Sequence, residues 1–175
     1  MSDLFVSWAE YHQLVERLAV NLYESGWRFD RILCVARGGL RVGDILSRLF
    51  DCPLAILATS SYGGADGRER GRVSIAPHLT MSSTPLGRRV LVVDDLVDSG
   101  ESLKAVLAWL CDRYGDEIEE MRTAVLWYKA GGNIAPDYYV EYLRDNPWIH
   151  QPFEQYEQLS PASLAVRNRG DRTER

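Results

Sequence analysis

The sequence predicts an α/β fold with a mostly parallel, twisted sheet and helices on both faces. Apolar runs of strand length alternate with segments in which apolar residues recur every three or four positions, a pattern typical of parallel sheets with helical crossovers. In addition, the stretch VLVVDDLVD at 90–98 is an apolar strand that ends abruptly at acidic residues. In open α/β sheets, ligands bind where strands end in this way.

Each element is predicted from its own pattern of apolar residues. Helices are recognised from apolar positions at i, i+3, i+4 and i+7, and buried strands from short apolar runs bounded by turn residues. The sequence predicts, in order, a helix from a Ser7–Glu10 capping box to Gly26, a strand at 32–36, a helix over 40–49, a strand at 54–58, a short strand at 73–75, a strand at 90–93, a helix that begins near Ser99 or Glu101, a strand at 123–128 and an edge strand at 138–143.

Two stretches lack a sustained pattern. The segment from Thr59 to Leu86 contains an Arg-rich group, and an excursion of this length in a compact domain is usually functional. The aromatic stretch at 145–153 is bounded by prolines and is interpreted as a loop. We expect a single domain over residues 1–160 and a polar, disordered tail over 161–175.

The bulk composition excludes several classes of protein. The 175 residues carry a net charge of −5 and have a pI of about 5.2, which provides no general attraction to nucleic acid or anionic membranes. No apolar run is long enough to span a bilayer. Three cysteines without CxxC spacing, and an N-terminus unlike a secretory signal, predict a reduced, cytoplasmic protein.

Three predicted strands end in groups that could bind a ligand, and the carboxyl ends of parallel strands meet at one edge of a sheet. These groups are Arg37-Gly38-Gly39, Asp94-Asp95 with the turn at 98–102, and Lys129. The two glycines can expose N–H groups to an anion, and the turn before a helix can hold a phosphate. Each group also has a structural explanation on its own, as a cap, a plain turn or a solvated lysine.

Together these motifs resemble the type I phosphoribosyltransferases. VLVVDDLVDSGES resembles that family's motif for 5-phosphoribosyl pyrophosphate (PRPP), and Ala36-Arg37-Gly38-Gly39-Leu40 resembles its pyrophosphate loop. Ser61-Tyr62 resembles the start of the flexible loop of the 6-oxopurine members. Lys129 and Trp148-Ile149 resemble the purine-binding positions of the bacterial xanthine-guanine enzymes.

The resemblance implies a fold, an activity and partners. The fold would be that of the type I enzymes, with a small hood formed by the C-terminal part. The protein would serve purine salvage by transferring the 5-phosphoribosyl group from PRPP to a 6-oxopurine base, namely guanine, xanthine or hypoxanthine. Mg²⁺ would be the cofactor, and the chain would form a homodimer or homotetramer that binds no nucleic acid.

The resemblance also assigns residues to PRPP. The implied binding residues are Arg37, Gly38, Asp94, Asp95, Asp98, Ser99, Gly100, Glu101 and Ser102. Asp94 and Asp95 would hold the ribose hydroxyls, with Asp95 also contacting Mg²⁺, and the residues at 99–102 would cradle the 5′-phosphate. Arg37 and Gly38 would bind pyrophosphate, with a cis peptide in this loop.

Further roles concern the base and the chemistry. Asp98 would act as the general base, and Arg68 from the flexible loop would reach the pyrophosphate. Lys129 would donate a hydrogen bond to the purine O6. Ile149 would pack on the ring, while the backbone carbonyls near Trp148 and Ile149 would read the exocyclic amine.

Three positions depart from the family pattern. Glu101 places a carboxylate in the phosphate loop, and we expect it to point outward as an acid favoured by the helix dipole. Ala130-Gly131-Gly132-Asn133 after Lys129 differs from the expected Pro-Ala-Gly-Arg type. His150 stands where the family commonly has an acid.

The same residues leave three alternative functions open to comparison. A receiver domain of a signalling protein also opens with VLVVDD, but here that run begins at residue 90 and too little chain follows. A regulator of the same fold that senses PRPP or nucleotides and binds RNA or DNA would need a basic face, and only the arginines at 68, 70, 72, 88 and 89 support one. A phosphoribosyltransferase for another base is the other alternative. Lys129 argues against adenine, whose amino group would face a second donor.

Overall fold

The computed structural model describes residues 3–61 and 73–173 of the chain. Within these residues the elements are, in chain order, β1 (Asp3–Phe5), α1 (Trp8–Glu24), β2 (Arg31–Ala36), α2 (Gly39–Phe50), β3 (Leu54–Ser61), β4 (Val73–Ile75), β5 (Thr80–Met81), β6 (Arg89–Val93), β7 (Leu96–Val97), α3 (Glu101–Tyr114), β8 (Glu120–Lys129), β9 (Tyr138–Leu143), β10 (Trp148–His150), α4 (Gln155–Gln158) and α5 (Pro161–Thr173).

The main sheet is mostly parallel, as the sequence predicts. Its strands follow the order β4-β3-β2-β6-β8-β7, with β5 beside β3 and β9 beside β8. The pairs formed among β2, β3, β6, β7, β8 and β9 are parallel, whereas β4 and β5 run antiparallel to β3. The carboxyl ends of β2, β6 and β8 therefore meet at one edge of the sheet.

Strand β2 shows that helices cover both faces of this sheet. Leu33 and Val35 belong to a buried cluster that also contains Leu103, Val106 and Leu110 of α3. The alternate residue Cys34 packs closely against Gly43 of α2. Because successive strand residues point to opposite faces, α2 and α3 lie on opposite sides of the sheet. This burial on both faces explains why β2 reads as a continuous apolar run.

The start of α1 confirms the predicted capping box. The backbone N–H of Ser7 donates to Glu10 Oε2 at 2.8 Å, and that of Glu10 donates to Ser7 Oγ at 3.2 Å. The same serine bonds lower the pKa of the Glu10 carboxyl. Two of the helix's unpaired donors are thereby satisfied by side chains.

The chain divides into two compact units, one formed by Gln13–Asn146 and the other by Met1–His12 with Pro147–Arg175. The second unit contains a parallel two-stranded sheet, in which β1 pairs with β10. The C-terminal part that was expected as a small hood thus forms its unit together with the first residues of the chain. In the described part of the chain, no helix is both long and apolar enough to cross a membrane.

Three expectations about the chain differ from the structure. The stretch 145–153 is not all loop, because β10 forms there by pairing with β1, a partner too distant in sequence to leave a local pattern. A two-residue strand, β7, interrupts the acidic run. Helix α5 occupies 161–173, where a disordered tail was expected. Ser160 caps this helix through hydrogen bonds with Ser163, and Pro161 occupies the first turn, where proline is favoured.

Candidate active site

One short stretch of chain at the carboxyl edge of the main sheet builds most of the candidate site. Strand β6 ends at Asp94 and Asp95, β7 follows, and Asp98-Ser99-Gly100 leads directly into α3. This path encloses a cavity of about 210 Å³. Its lining residues are Asp94, Asp95, Leu96, Val97, Asp98, Ser99, Gly100, Ser102 and Leu103.

The two adjacent carboxylates are held by backbone donors. Asp94 Oδ1 accepts a hydrogen bond from the N–H of Asp95 at 2.9 Å, and Asp95 Oδ1 accepts one from the N–H of Leu96 at 2.8 Å. Burial, and then the charge of Asp95, raise the pKa of Asp94 well above its usual value, although hydrogen bonds from backbone N–H groups act in the opposite direction. The pair is therefore an electrostatically costly arrangement in the free protein.

The loop after β2 approaches these carboxylates closely. The peptide bond between Ala36 and Arg37 is cis, as the resemblance implies, and Thr59 Oγ1 of β3 donates to the Ala36 carbonyl at 3.3 Å. A Cβ atom added at Gly38 would lie 2.5 Å from Asp95 Oδ1 and 2.7 Å from Asp94 Oδ1, so a larger residue there would have to displace a carboxylate. Glycine at 38 thus allows the loop to approach the acidic pair.

The turn at 98–102 has the form of an anion cradle. Gly100 has a φ of 84° and directly precedes α3. The N–H groups in the first turn of a helix have no carbonyl partner within the helix. The N–H of Glu101 lies 3.4 Å from Ser99 Oγ. Exposed N–H groups together with the positive end of a helix dipole favour a phosphate.

The Glu101 carboxylate bonds outside this turn. Asn133 Nδ2 donates to Glu101 Oε1 at 2.7 Å, which agrees with the expected outward orientation. The sequence reasoning missed this contact of Asn133. Its signal was present, because both Glu101 and the segment that contains Asn133 stood out as departures from the family pattern.

Lys129 ends β8 at the same edge of the sheet. Its side chain is only 6% exposed, which contradicts the alternative of a solvated surface lysine. In the parallel pair of β7 and β8, Val97 lies opposite Tyr128. Asp98 and Lys129, the next residues on the two segments, therefore follow at the same level. The three predicted strand ends therefore converge.

The second unit holds the remaining predicted base-site residues. Ile149 is 4% exposed and pairs with Leu4, whereas Trp148 is 48% exposed. His150 contacts residues of β1: its Nε2 lies 3.1 Å from Asp3 Oδ2, and its ring stacks on Phe5 with centroids 4.3 Å apart. His150 thus has a structural role within this unit.

The residues predicted for a flexible loop lie only in part within the described part of the chain. Ser61 is the last residue of β3, while Tyr62 and Arg68 lie outside the described residues.

A metal ion at this site would depend on the substrate. Among residues 3–61 and 73–173, no group of three or more His, Cys, Asp or Glu side chains is arranged to hold a metal. Mg²⁺ is usually held by one or two carboxylates with water and substrate phosphates supplying the rest. The pair Asp94-Asp95, which faces the loop at Gly38, fits that requirement.

The chain is similar to known phosphoribosyltransferases. Two xanthine-guanine phosphoribosyltransferases are each 29% identical to the chain. The protein from Idiomarina loihiensis matches over 159 residues, 88% of this chain and 88% of that protein. The protein from Gluconobacter oxydans matches over 150 residues, 85% of this chain and 83% of that protein.

Solved structures share the fold. A purine phosphoribosyltransferase from Pyrococcus horikoshii superposes with a TM-score of 0.69 and 28% identity, covering 87% of this chain and 94% of that one. A xanthine-guanine-hypoxanthine phosphoribosyltransferase from Helicobacter pylori has a TM-score of 0.70 at 24% identity, covering 90% and 96%. The sequence profile of the phosphoribosyl transferase domain matches residues 7–158, and the chain therefore belongs to the phosphoribosyl transferase domain family.

Proposed function

We propose that the protein transfers the 5-phosphoribosyl group of PRPP to a 6-oxopurine base in purine salvage, forming a nucleoside monophosphate and pyrophosphate. The observation that carries this proposal is the convergence of the acidic pair, the 98–102 turn and the Arg37-Gly38 loop at one sheet edge. The similarity to xanthine-guanine phosphoribosyltransferases supports it.

PRPP would be bound by three groups of different chemistry. The backbone N–H groups at 99–102 take the 5′-phosphate, and the carboxylates of Asp94 and Asp95 accept hydrogen bonds from the ribose 2′ and 3′ hydroxyls. Arg37 and the N–H groups of its loop take the pyrophosphate. The donors and acceptors of the site thus match a sugar that carries phosphate groups at both ends.

Asp95 would help to hold Mg²⁺ together with the substrate oxygens. When bound, Mg²⁺ supplies positive charge that stabilises the departing pyrophosphate. Arg37 supplies charge of the same sign from the protein, and it becomes more effective as negative charge moves onto the leaving group.

The reaction replaces one bond at the ribose C1′ by another. The bond from C1′ to the pyrophosphate oxygen breaks with its electron pair on the oxygen, through an oxocarbenium-like transition state, and a purine ring nitrogen forms the new bond. Asp98 then accepts the proton that this nitrogen loses. Its side chain is exposed beside the cavity and therefore accessible to the substrate.

Lys129 would select the base by donating to the purine O6. An adenine amino group at that position would place a donor against the donor of the buried Lys129. The half-exposed Trp148 offers more side-chain surface than the nearly buried Ile149 on which ring packing was expected. The backbone carbonyls of both residues remain the proposed readers of the exocyclic amine.

Several further points belong to the proposal. We place residues 1–160 in one catalytic domain, since the family match at 7–158 draws on both compact units. Arg68 is retained as a second contact to pyrophosphate. The homodimer or homotetramer is proposed from the family resemblance alone. The proposed cytoplasmic location is supported by three free cysteines, of which Cys34 and Cys52 are buried with pKa values raised by burial to about 12 and about 11.

The proposal is tested by following nucleotide formation from PRPP and Mg²⁺ with guanine, xanthine, hypoxanthine and adenine in turn. We expect turnover of 6-oxopurines and none of adenine. Asp98→Asn should lower kcat by about 10²–10⁴-fold because it removes the proton acceptor. The matched control is Asp116→Asn, at an exposed aspartate beyond α3, which should retain full activity.

Absence of turnover with every purine would overturn the proposed reaction. Full activity of Asp98→Asn would leave the reaction in place but remove the assignment of the general base.

A further inference from the structure

The carboxylate of Glu101 presents an electrostatic problem if the 98–102 turn binds phosphate. Glu101 is the first residue of α3, so its side chain starts from the end of the helix that attracts anions. A carboxylate and a phosphate would compete for the same N–H groups and would repel each other. Phosphate binding therefore requires a contact that keeps this carboxylate away from the ligand.

Asn133 supplies such a contact. Its Nδ2 donates to Glu101 Oε1 at 2.7 Å, and its own backbone N–H donates to the Ser99 carbonyl at 2.8 Å. One residue therefore binds both the backbone of the phosphate turn and the acid that follows it.

The neighbours of Asn133 fit closely against the same turn. A Cβ atom at Gly100 would lie 2.6 Å from Ile134 Cγ2, and one at Gly132 would lie 2.9 Å from the Asp98 carbonyl oxygen. The turn that follows β8 thus packs closely against the 98–102 turn at two successive points. This packing fixes the position from which Asn133 reaches Glu101.

We propose that Asn133 is a positioning residue for PRPP binding, which holds the Glu101 carboxylate outside the phosphate cradle by a direct hydrogen bond. This inference rests on the proposed function and adds to it a residue from a separate segment of chain. Without the amide of Asn133, the Glu101 carboxylate turns toward the N–H groups at the start of α3 and opposes the 5′-phosphate.

The test compares Asn133→Ala, Glu101→Gln and the double variant in the full-length protein, with PRPP and guanine as substrates. We expect Asn133→Ala to raise the KM for PRPP about tenfold, with kcat changed less than about twofold, because a like charge weakens binding of the anion. Asn133→Asp, which keeps the shape and adds a charge, should have the same effect. The matched control is Asn21→Ala, whose Nδ2 bonds to the Tyr139 carbonyl.

The double variant decides whether Asn133 acts through Glu101. If it does, Asn133→Ala with Glu101→Gln regains the wild-type KM for PRPP, and the KM defect of Asn133→Ala shrinks as salt is added. A double variant as impaired as Asn133→Ala, or an unchanged KM in Asn133→Ala, would overturn the inference. Failure of the wild-type protein to use or bind PRPP would instead overturn the proposed function, so the two failures are distinguishable.

Discussion

The two regions that would recognise the two substrates are built in opposite ways. The residues proposed for PRPP lie mostly within Asp94–Ser102, where a strand end, a turn and a helix start follow one another. The hydrogen bonds that hold the two carboxylates there join adjacent residues. The residues proposed for the base, Lys129 and Trp148, come from separate parts of the chain. The region near Trp148 depends on a strand pair in which Asp3 lies opposite Trp148.

Because of this difference, the two regions should tolerate different changes of sequence. A phosphate and two ribose hydroxyls would be bound by backbone N–H groups and a strand-end acid pair, so under the proposed function the local sequence must keep its glycine and its acids. The base region needs only a few groups at the right positions, and their supports come from distant residues such as Asp3 and Phe5. Departures at residues 130–133 and at His150 are therefore compatible with the same reaction.

The largest effect on PRPP recognition is expected at Gly38. Gly38→Ala forces a Cβ against Asp95 Oδ1 and should displace the acidic pair, lowering kcat/KM for PRPP by roughly 10²-fold. The control is Gly26→Ala: its φ of 72° strains an alanine, whereas Gly38 has a φ of −54°, but no atom lies within 4 Å of the added Cβ. Steady-state kinetics of both variants give the answer, and an unimpaired Gly38→Ala would contradict the close approach.

A second test separates the base from PRPP at Lys129. Lys129→Met keeps length and suits a buried position, but it removes the donor to O6. We expect kcat/KM for guanine to fall roughly 10- to 100-fold, with a smaller change in the KM for PRPP. The only other lysine, Lys104, is exposed on α3, and Lys104→Met should leave the KM for guanine unaltered. Equal losses for both substrates would contradict the division of roles.

The same contrast explains what the sequence could predict. Strand β6 and helix α3 were predicted because each carries its own apolar pattern, and the acidic residues between them stand at a strand end. The convergence of Lys129 with this segment followed from the geometry of parallel strands. The buried state of Lys129 could not be read from a lone lysine in the sequence.

Contacts between distant segments account for what was missed. The three-residue strands β1 and β10 are too short for a periodic signal, and each forms only because the other is present. The bond from Asn133 to Glu101 depends on the way the turn after β8 packs against Gly100, which no local pattern encodes. The burial of Ile149 likewise arises from tertiary packing.

The raised pKa of Asp94 affects the stability of the ligand-free protein. Burial and the charge of Asp95 raise the pKa of this carboxyl in the folded protein, so the folded state binds the proton more tightly than the unfolded chain. Its stabilising contribution is present below the unfolded pKa and is lost as pH rises through the folded pKa. Asp94→Asn removes this loss and should raise the Tm of the ligand-free protein near neutral pH by roughly 2–4 °C, or about 1 kcal/mol.

Thermal unfolding as a function of pH tests this expectation, and it should be paired with PRPP kinetics. The gain in Tm should shrink toward acidic pH, while binding of PRPP should weaken because a ribose acceptor is lost. Asp116→Asn serves again as the exposed control. A variant less stable than the wild type at neutral pH would show that the acidic pair does not destabilise the free protein.

The smallest effect is expected at His150. Since its ring contacts Asp3 and Phe5, His150→Gln should change kcat/KM for guanine by less than about twofold and lower the Tm slightly. Parallel measurement of both quantities tests the structural role. A large change in base preference at constant Tm would instead place His150 in base recognition.

The most direct test of the proposed nucleotide site is a crystal structure of the protein with guanosine 5′-monophosphate. We predict that the 5′-phosphate lies on the N–H groups of residues 99–102, with the ribose hydroxyls on Asp94 and Asp95 and O6 within hydrogen-bond distance of Lys129 Nζ. The Glu101 carboxylate should remain on Asn133. A phosphate bound elsewhere, or a base remote from Lys129, would contradict the account.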